Sequence, residues 1–377
     1  MQKIYMDFAA ATPMDKSVVI AMTPFFTEKF YNPSSIYLDA KETKADLEFA
    51  REKIARIIGA RPGEIVFAAG GTEANNLAIN GVMQQFPDKK LIISAVEHDS
   101  VLEVAKQYDV IEAEVSEQGV VVVPKLIKQI TDDVVLISVQ YVNNEVGAIQ
   151  PIRDIASEID EIKKDRAKRG VKTPLYFHTD AAQAANYQDL HVSRLGVDLM
   201  MVNGGKIYGP KQSAFLYVKA GIELSPLVRG GGQENGLRSG TENVAGSFGL
   251  STALDKAQKK RGGEVKRLGE LQEYFIDEIT KKFPEAIVNG PKKNRVVNNI
   301  HVTFPGKDNE RMLMELDEKG IQVATGSACS ASKEEASHVL LAMGIPEADA
   351  RASLRFTMGR PTTKTDIDAL ITTLKNL

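Results

Sequence analysis

The sequence predicts an α/β protein with a large domain built on a parallel or mixed β-sheet and a smaller α+β domain. Over the first two-thirds of its 377 residues, apolar strand-like runs alternate with helix-like runs. The strand-like runs are apolar throughout, which is typical of strands that are covered on both faces of a sheet. From about residue 251 the pattern changes to charged helices and short strands. We therefore assign residues 15–250 to the large domain and residues 1–14 and 251–377 to the small domain.

The large domain is predicted to open with a strand at EIVFAAGG (64–71) and a helix at TEANNLAINGVM (72–83), which has Thr72 as its N-cap. A long amphipathic helix is predicted at IRDIASEIDEIKKDRAKR (152–169). The other predicted strands are KLIISAVEH (90–98), DVVLISVQYVNNEVG (133–147), LYFHTDAAQ (175–183), VDLMMVNGG (197–205) and SAFLYVKA (213–220).

The small domain is predicted to start with one or two charged amphipathic helices in residues 253–283. Short strands are expected at NNIHVTF (298–304) and IQVATG (321–326). Helices are expected at ERMLMELDEKG (310–320) and in the last residues of the chain.

Composition excludes several classes of protein. The formal charge of -3 favours neither nucleic acid nor an acidic membrane surface as a partner. No segment approaches the roughly 20 apolar residues of a membrane span, so we expect a cytoplasmic protein. The single cysteine, Cys329, excludes an internal disulfide and a cysteine-based metal cluster within one chain, and we predict no bound metal.

Polar residues follow the ends of the predicted strands, where open α/β sheets bind their ligands. They occupy segments 70–73, 97–98, 143–145 and 203–206, together with Asp180 and Gln183. We expect them to converge on one cleft.

Several of these positions have an ordinary structural explanation beside the functional one. GGTEANN at a helix start predicts either a phosphate cradle or a glycine turn capped by Thr72. Asp180 is either a helix N-cap or the partner of a protonated ring nitrogen, as pyridoxal phosphate (PLP) requires. Lys206 is either a loop lysine at the surface or an amine nucleophile. His98 is either a capped, packed histidine or a ring that stacks on a cofactor.

The same choice applies to three features nearer the C-terminus. Cys329, in the small-residue run ATGSACSAS, is either an incidental thiol or a reactive thiolate on a mobile loop. Arg355 is either half of a surface ion pair or a clamp for a carboxylate. The glycine-rich segment 229–243 is either a flexible surface loop or a close backbone approach to a ligand or a second subunit.

Ten motifs spread over nearly the whole chain resemble the NifS/IscS-type cysteine desulfurases, which are PLP enzymes of the class V aminotransferase group. They are YMDFAAATPMD, NPSS, GGTEANNLAI, EHDSV, VNNEVGAIQPI, FHTDAAQ, KIYGPK, GGGQENGLRSGTEN, GSACSAS and LRFTMGR. GLRSGT and GSACSAS are the most specific of them. The resemblance implies the PLP-dependent transferase fold type I, with a mostly parallel seven-stranded sheet in the large PLP-binding domain. It also implies a homodimer and a small domain that carries the Cys329 loop.

The resemblance implies a role for each matching residue. Lys206 would bind PLP covalently and take the substrate Cα proton, and Asp180 would pair with the pyridine nitrogen. Gln183 would hydrogen-bond the ring oxygen, and His98 would stack on the ring and shuttle protons. The phosphate would be held by Gly71, Thr72 and Asn203, and by Thr241 of the partner subunit. Asn144, beside the cofactor, and Arg355 would grip the substrate carboxylate, and Cys329 would accept the sulfur.

The activity that the resemblance implies is conversion of L-cysteine to L-alanine, with the sulfur left as a persulfide on Cys329. The persulfide sulfur would then pass to a sulfur-acceptor protein, such as an iron–sulfur scaffold, and would be used for iron–sulfur clusters or for tRNA thiolation. Two alternatives stay open. One is another PLP reaction on the same fold, as in a selenocysteine lyase or an aminotransferase. The other is a weakly active homologue that acts as a binding scaffold.

The corner around Lys206 departs from the family pattern. The family usually has Ser-Gly/Ala/Ser-His-Lys there, whereas this chain has Asn203-Gly204-Gly205-Lys206. The histidine that normally helps to hold the PLP phosphate is therefore absent, and Tyr37 replaces the histidine that usually follows NPSS. Loss of one charge-assisted contact costs about 1.5–3 kcal/mol. We predict weaker PLP retention than in related enzymes.

Overall fold

The computed structural model describes residues 3–326 and 336–377, and element labels below follow chain order within these ranges. The strands are β1 (Ile4–Tyr5), β2 (Ile65–Ala68), β3 (Lys90–Ser94), β4 (Asp109–Ala113), β5 (Val134–Ser138), β6 (Tyr176–Asp180), β7 (Leu199–Asn203), β8 (Ala214–Val218), β9 (Ile287–Asn289), β10 (Asn299–Thr303), β11 (Ile321–Gln322), β12 (Ala324–Thr325) and β13 (Ser353–Thr357). The helices are α1 (Lys16–Met22), α2 (Pro24–Thr27), α3 (Leu38–Ile58), α4 (Gly71–Met83), α5 (Asp99–Ala105), α6 (Val123–Gln129), α7 (Ile152–Arg169), α8 (Val192–Leu195), α9 (Val244–Lys282), α10 (Asn309–Glu318), α11 (His338–Ala342), α12 (Glu347–Ala350) and α13 (Lys364–Leu374).

The central sheet has seven strands in the order β2-β8-β7-β6-β5-β3-β4. The neighbours from β7 to β4 are parallel, and β8 runs antiparallel to both β7 and β2. The prediction of a mostly parallel seven-stranded α/β sheet is confirmed.

Both faces of this sheet are covered, as its apolar strands predict. Ile65 and Phe67 on β2 belong to one apolar cluster, which includes residues of α3 and α7. Val66 and Ala68 point the other way and pack in a second cluster with residues of α4 and α5. Successive side chains of a strand point to opposite faces, so a strand buried on both sides needs apolar residues at every position.

A second sheet is antiparallel and has the order β12-β13-β10-β9. The N-terminal strand β1 pairs with β11, so the start of the chain joins this later part of the fold. Residues 253–283, for which one or two helices were expected, lie almost entirely in the single 39-residue helix α9. The predicted domain boundary at residues 250/251 falls inside this helix, and the division into domains stays a prediction.

The parallel strands direct their carboxyl ends to one edge of the central sheet, and the residues that follow them meet there. Among the residues that the structure describes, none of the helices combines the length and the apolar character needed to cross a bilayer.

Candidate active site

A cavity of about 350 Å³ lies at the carboxyl edge of the central sheet. Nine of the residues selected from the sequence line it, namely Gly71, Thr72, His98, Asn144, Asp180, Gln183, Asn203, Lys206 and Arg355. A second cavity of about 650 Å³ adjoins it and shares Gly71, Thr72, Asn203 and Lys206. The two cavities therefore meet at these shared residues, which include Lys206.

Two of the residues to which the resemblance assigns a role are not among those that line the two cavities. Thr241 is exposed and is not among the residues that line either cavity, and its implied role concerns a second subunit. Cys329 lies outside the described residues.

Lys206 ends a short 3₁₀ turn that follows β7. Its Nζ donates hydrogen bonds to the carbonyl oxygens of Ala9 and Ala10, at 2.8 and 2.7 Å. The N-terminal segment therefore forms the wall opposite the turn. The turn itself requires Gly204, because a Cβ at that position would lie 2.2 Å from Ser213 Oγ.

The N-terminus of α4 forms an anion cradle beside Lys206. The N-cap is Gly70, so the predicted cap at Thr72 is wrong and Thr72 lies in the first turn. Within the described part of the chain, no side chain caps this helix, which leaves its first amides and its positive dipole end toward the cavity. Gly71 keeps the approach open, since a Cβ there would lie 3.1 Å from Asn203 Nδ2.

Asn203 is oriented so that it adds a donor to the cradle. Its Oδ1 accepts a hydrogen bond from the Gly205 amide at 3.0 Å, which directs Nδ2 toward Gly71. The asparagine thus presents N–H groups, not a carbonyl, to an anion at this point.

Asp180 is the carboxylate of the cavity. Its Oδ2 accepts from Asn75 Nδ2 at 2.8 Å and its Oδ1 from the Ala182 amide at 2.9 Å, so it caps a turn and also faces the cavity. Glu97 is fully buried nearby. Burial raises the pKa of the Glu97 carboxyl well above its usual range, against the hydrogen bond from the Gln140 amide, and the charge of Asp180 adds to the rise. Burial therefore favours the neutral form of Glu97.

Arg355 is not a surface residue. It lies on β13 with 3% of its surface exposed, forms an ion pair with Asp7 at 2.8 Å and donates to the Asn144 carbonyl at 3.1 Å. Its Nε is a buried donor that has no partner among the described residues. The guanidinium gives the cavity a positive wall at the end away from the α4 cradle.

The sequence did not reveal several residues of the site. The Ala9 and Ala10 carbonyls hold Lys206, but a backbone oxygen leaves no signature in a sequence. His338 also lines the cavity, and its Nε2 contacts the Glu97 carbonyl oxygen at 2.9 Å. Asn75 did carry a signal, because asparagine is a poor residue for the middle of a buried helix face.

These contacts bring an amine, a carboxylate, an arginine and an anion cradle to one cavity. The aminotransferase class-V family model matches residues 4–370 of the chain. The chain belongs to the class V aminotransferase family.

Individual proteins similar to this chain include a cysteine desulfurase and a NifS-like protein. Cysteine desulfurase IscS of Dictyoglomus turgidum is 42% identical over 383 aligned residues, which cover 100% of this chain and 94% of that protein. A solved NifS-like protein superimposes with a TM-score of 0.91 at 29% identity, covering 100% of this chain and 99% of its own. A solved structure of SspA in complex with cysteine gives a TM-score of 0.81 at 33% identity, covering 95% and 99%. The resemblance to the NifS/IscS group and its fold type I are confirmed.

Proposed function

We propose that this protein is a PLP-dependent cysteine desulfurase that converts L-cysteine to L-alanine and leaves the sulfur on Cys329. One observation carries the proposal. Lys206, Asp180 and the α4 cradle line one space, in a chain that is 42% identical to a cysteine desulfurase IscS.

The donor set fits PLP. Gly71 leaves room for a phosphate between Asn203 Nδ2 and the first amides of α4, which a Cβ would fill. Asp180 suits a protonated ring nitrogen, Gln183 suits the ring oxygen, and Lys206 is the amine for the aldehyde carbon. PLP supplies an electron sink for the negative charge that develops at the substrate Cα.

The remaining chemistry belongs to the protein. Arg355 binds the substrate carboxylate from its place on β13, and the Lys206 amine holds the proton that leaves Cα. The Cys329 thiolate attacks the substrate sulfur, so that an S–S bond forms and the C–S bond breaks. The Cβ that keeps the electron pair takes a proton and Lys206 returns its proton to Cα, which gives L-alanine and a Cys329 persulfide. SspA, a relative solved with cysteine, supports L-cysteine as the substrate.

We also propose that the active unit is a homodimer. Residues 30–38 expose a group of apolar side chains, which we call the N-terminal apolar surface. It contains the exposed Phe30, Ile36, Tyr37 and Leu38, and the half-buried Tyr31, which stacks on Phe30. Exposed apolar clusters of this kind mark association surfaces. In such a dimer Thr241 would reach the phosphate site of the partner subunit. The sulfur acceptor and the cytoplasmic location stay predictions from the sequence.

A cysteine-to-alanine assay on PLP-reconstituted protein tests the activity. We expect alanine and a Cys329 persulfide from the native protein, and loss of both in Lys206→Ala and Cys329→Ala. Because Cys329 is the single cysteine, the persulfide is located by mass spectrometry without ambiguity. Lys172→Ala serves as the control and should retain activity, because Lys172 is exposed and is not among the residues that line the two cavities.

The alternatives give different results in the same assay. Alanine formation from selenocysteine that survives Cys329→Ala indicates a selenocysteine lyase. Amino-group transfer to a keto acid indicates an aminotransferase. Native protein that forms no alanine after reconstitution, and binds no PLP, is a scaffold and contradicts the proposal.

A further inference from the structure

The buried amide of Asn75 connects the Asp180 carboxylate to the ring of His98 through Ser100. Asn75 lies on α4 with no exposed surface. Its Nδ2 donates to Asp180 Oδ2 and to Ser100 Oγ, each at 2.8 Å. A side-chain amide has two N–H hydrogens, so both are used.

The orientation of Asn75 follows from its partners. Asp180 Oδ2 accepts but cannot donate, so the Asn75 atom beside it must be the nitrogen and not the oxygen. Asn75 Oδ1 is buried and has no partner among the described residues. The two donated bonds therefore fix the amide, although they leave its oxygen unsatisfied.

Ser100 fixes the tautomer of His98. The Ser100 hydroxyl lies 2.9 Å from His98 Nδ1, and the Ser100 backbone amide donates to the same nitrogen at 3.1 Å. A backbone N–H cannot act as an acceptor, so Nδ1 must carry the lone pair. The neutral ring therefore has its proton on Nε2, the nitrogen that is left for the cavity.

From this geometry we infer that Ser100 and Asn75 are positioning residues for the reaction. They hold His98 as a donor at Nε2 and tie its orientation to the carboxylate of Asp180. An ordinary helix cap explains the bond from the Ser100 amide to His98, which is the N-cap of α5. It does not explain Asn75, which lies on α4 and joins Ser100 on α5 to Asp180 at the end of β6.

The chain contains a matched pair for comparison. At the start of α8, Ser193 Oγ lies 2.9 Å from His191 Nδ1 with the same two-residue spacing, but the pair is exposed. Within the described residues no side chain caps α8, so no backbone amide of this helix donates to His191 Nδ1 as the Ser100 amide does to His98.

The inference has two tests. The kinetic test rests on the proposed function, whereas the spectroscopic test measures only which ring nitrogen of His98 carries the proton. In PLP-reconstituted protein with isotope-labelled histidine nitrogens, NMR should give His98 as the Nε2–H tautomer. A His98→Asn variant assigns its signals among the five histidines. Ser100→Ala removes the hydroxyl bond but keeps the backbone amide that donates to Nδ1, so His98 should stay the Nε2–H tautomer while its Nδ1 signal shifts. Ser100→Thr should restore the native Nδ1 signal. A proton on Nδ1 in the native protein overturns the inference, whether or not the protein makes alanine.

In the kinetic test, Ser100→Ala should lower kcat for alanine formation about ten-fold, with KM for L-cysteine within about two-fold, since the defect lies in proton transfer. Ser100→Thr should recover most of the rate, and Ser193→Ala should leave it unchanged. Asn75→Ala should cost less in the Ser100→Ala background than alone, because the two residues act in one chain. Unchanged kcat in Ser100→Ala, or full additivity of the two substitutions, contradicts the inference. If Ser100→Ala does not fold, the tautomer of the native ring still decides.

Discussion

At the scale of a single residue, Gly205 leaves the corner beside Lys206 without a side chain. It lines the larger cavity together with the α4 cradle and Lys211. A Cβ built on Gly205 would meet nothing nearer than Asn203 Oδ1 at 3.5 Å and Lys211 Cγ at 3.7 Å. The corner therefore has room for a side chain. This differs from Gly204, where a Cβ would collide with Ser213.

We expect Gly205→His to bind PLP more tightly than the native protein. A phosphate contact from an imidazole stabilises the complex by about 1.5–3 kcal/mol, which corresponds to roughly ten-fold or more in Kd. Fluorescence titration of the apoprotein with PLP measures the change.

Two controls isolate the phosphate contact. Gly205→Ala adds a Cβ without a donor and should leave the affinity for PLP nearly unchanged. Pyridoxal, which lacks the phosphate, should bind to Gly205→His and to the native protein equally well. Equal PLP affinity in Gly205→His and the native protein would show that Asn203 and Lys211 already satisfy the phosphate.

At the scale of elements, the glycine-rich segment 229–243 is attached to α3 by a buried ion pair. Arg51 donates to both carboxylate oxygens of Glu234 at 2.8 Å, and both side chains are less than 10% exposed. Glu234 and Asn235 both have positive φ angles, 50° and 58°, which non-glycine residues rarely adopt. The ion pair and the Phe67 amide, which donates to Glu234, hold the segment in this unusual shape.

We expect Glu234→Gln to lower the free energy of unfolding by about 3–5 kcal/mol, because it leaves the buried Arg51 charge with only the exposed Glu48 as a counter-charge. Urea unfolding measures the loss. Glu48→Gln is the matched control, since Glu48 contacts the same guanidinium at 3.2 Å but is 45% exposed. Its loss should stay below about 1 kcal/mol. Similar losses in the two variants would mean that the buried pair has no special role.

The N-terminal apolar surface gives a second prediction at this scale. Ile36 is 87% exposed in the single chain, so a charge there costs little in a monomer and much in an interface. We expect the native protein to be a dimer in light scattering after size exclusion, and Ile36→Glu to be a monomer. Ile287→Glu, at a half-exposed apolar position on β9, should remain a dimer. A monomeric native protein, or a dimer that tolerates Ile36→Glu, contradicts the proposed interface.

The sequence predicted six of the seven strands of the central sheet, because each of the six contains a local apolar run. It missed the edge strand β4, whose sequence DVIEA includes two charged residues. The same logic selected Asp180 and Lys206, which lie at or just after the ends of β6 and β7. It could not find the Arg51–Glu234 pair, whose partners are 183 residues apart, because nothing local links them. Nor could it show that a side chain at Gly71 would be crowded, since that depends on how closely Asn203 approaches from β7.

At the scale of the whole molecule, buried ionisable groups of both kinds set the pH dependence of stability. Burial lowers the pKa of His178 and His301 to about 3, from an ordinary value of 6.5. Burial raises the pKa of Glu97 and Glu145 above the ordinary 4.5. Relative to the unfolded chain, the folded state therefore holds protons more tightly on these two glutamates and less tightly on these two histidines.

The unfolded chain behaves differently, and the difference in bound protons gives the sign. The two histidines contribute stability that is fully present above about pH 6.5 and is lost as pH falls toward 3, because the unfolded chain takes up protons that the folded state does not. The two glutamates act in the opposite sense, since the stability they contribute is fully present below about pH 4.5 and is lost as pH rises through their raised pKa values. Below about pH 4.5 the histidines alone act, and stability falls as pH falls.

We therefore expect the free energy of unfolding in urea to fall as pH falls below about 4.5, by up to about 1.4 kcal/mol per pH unit for each histidine. Glu97→Gln removes a group whose protonated form the folded state favours. Above about pH 4.5 the stability of this variant should rise more with pH, or fall less, than that of the native protein, because one of the glutamates that oppose the histidines is gone. Glu117→Gln, at an exposed glutamate, should follow the native curve. A Glu97→Gln curve parallel to the native one would mean that Glu97 is ionised in the folded protein, and Asp180 would then lie beside a second negative charge.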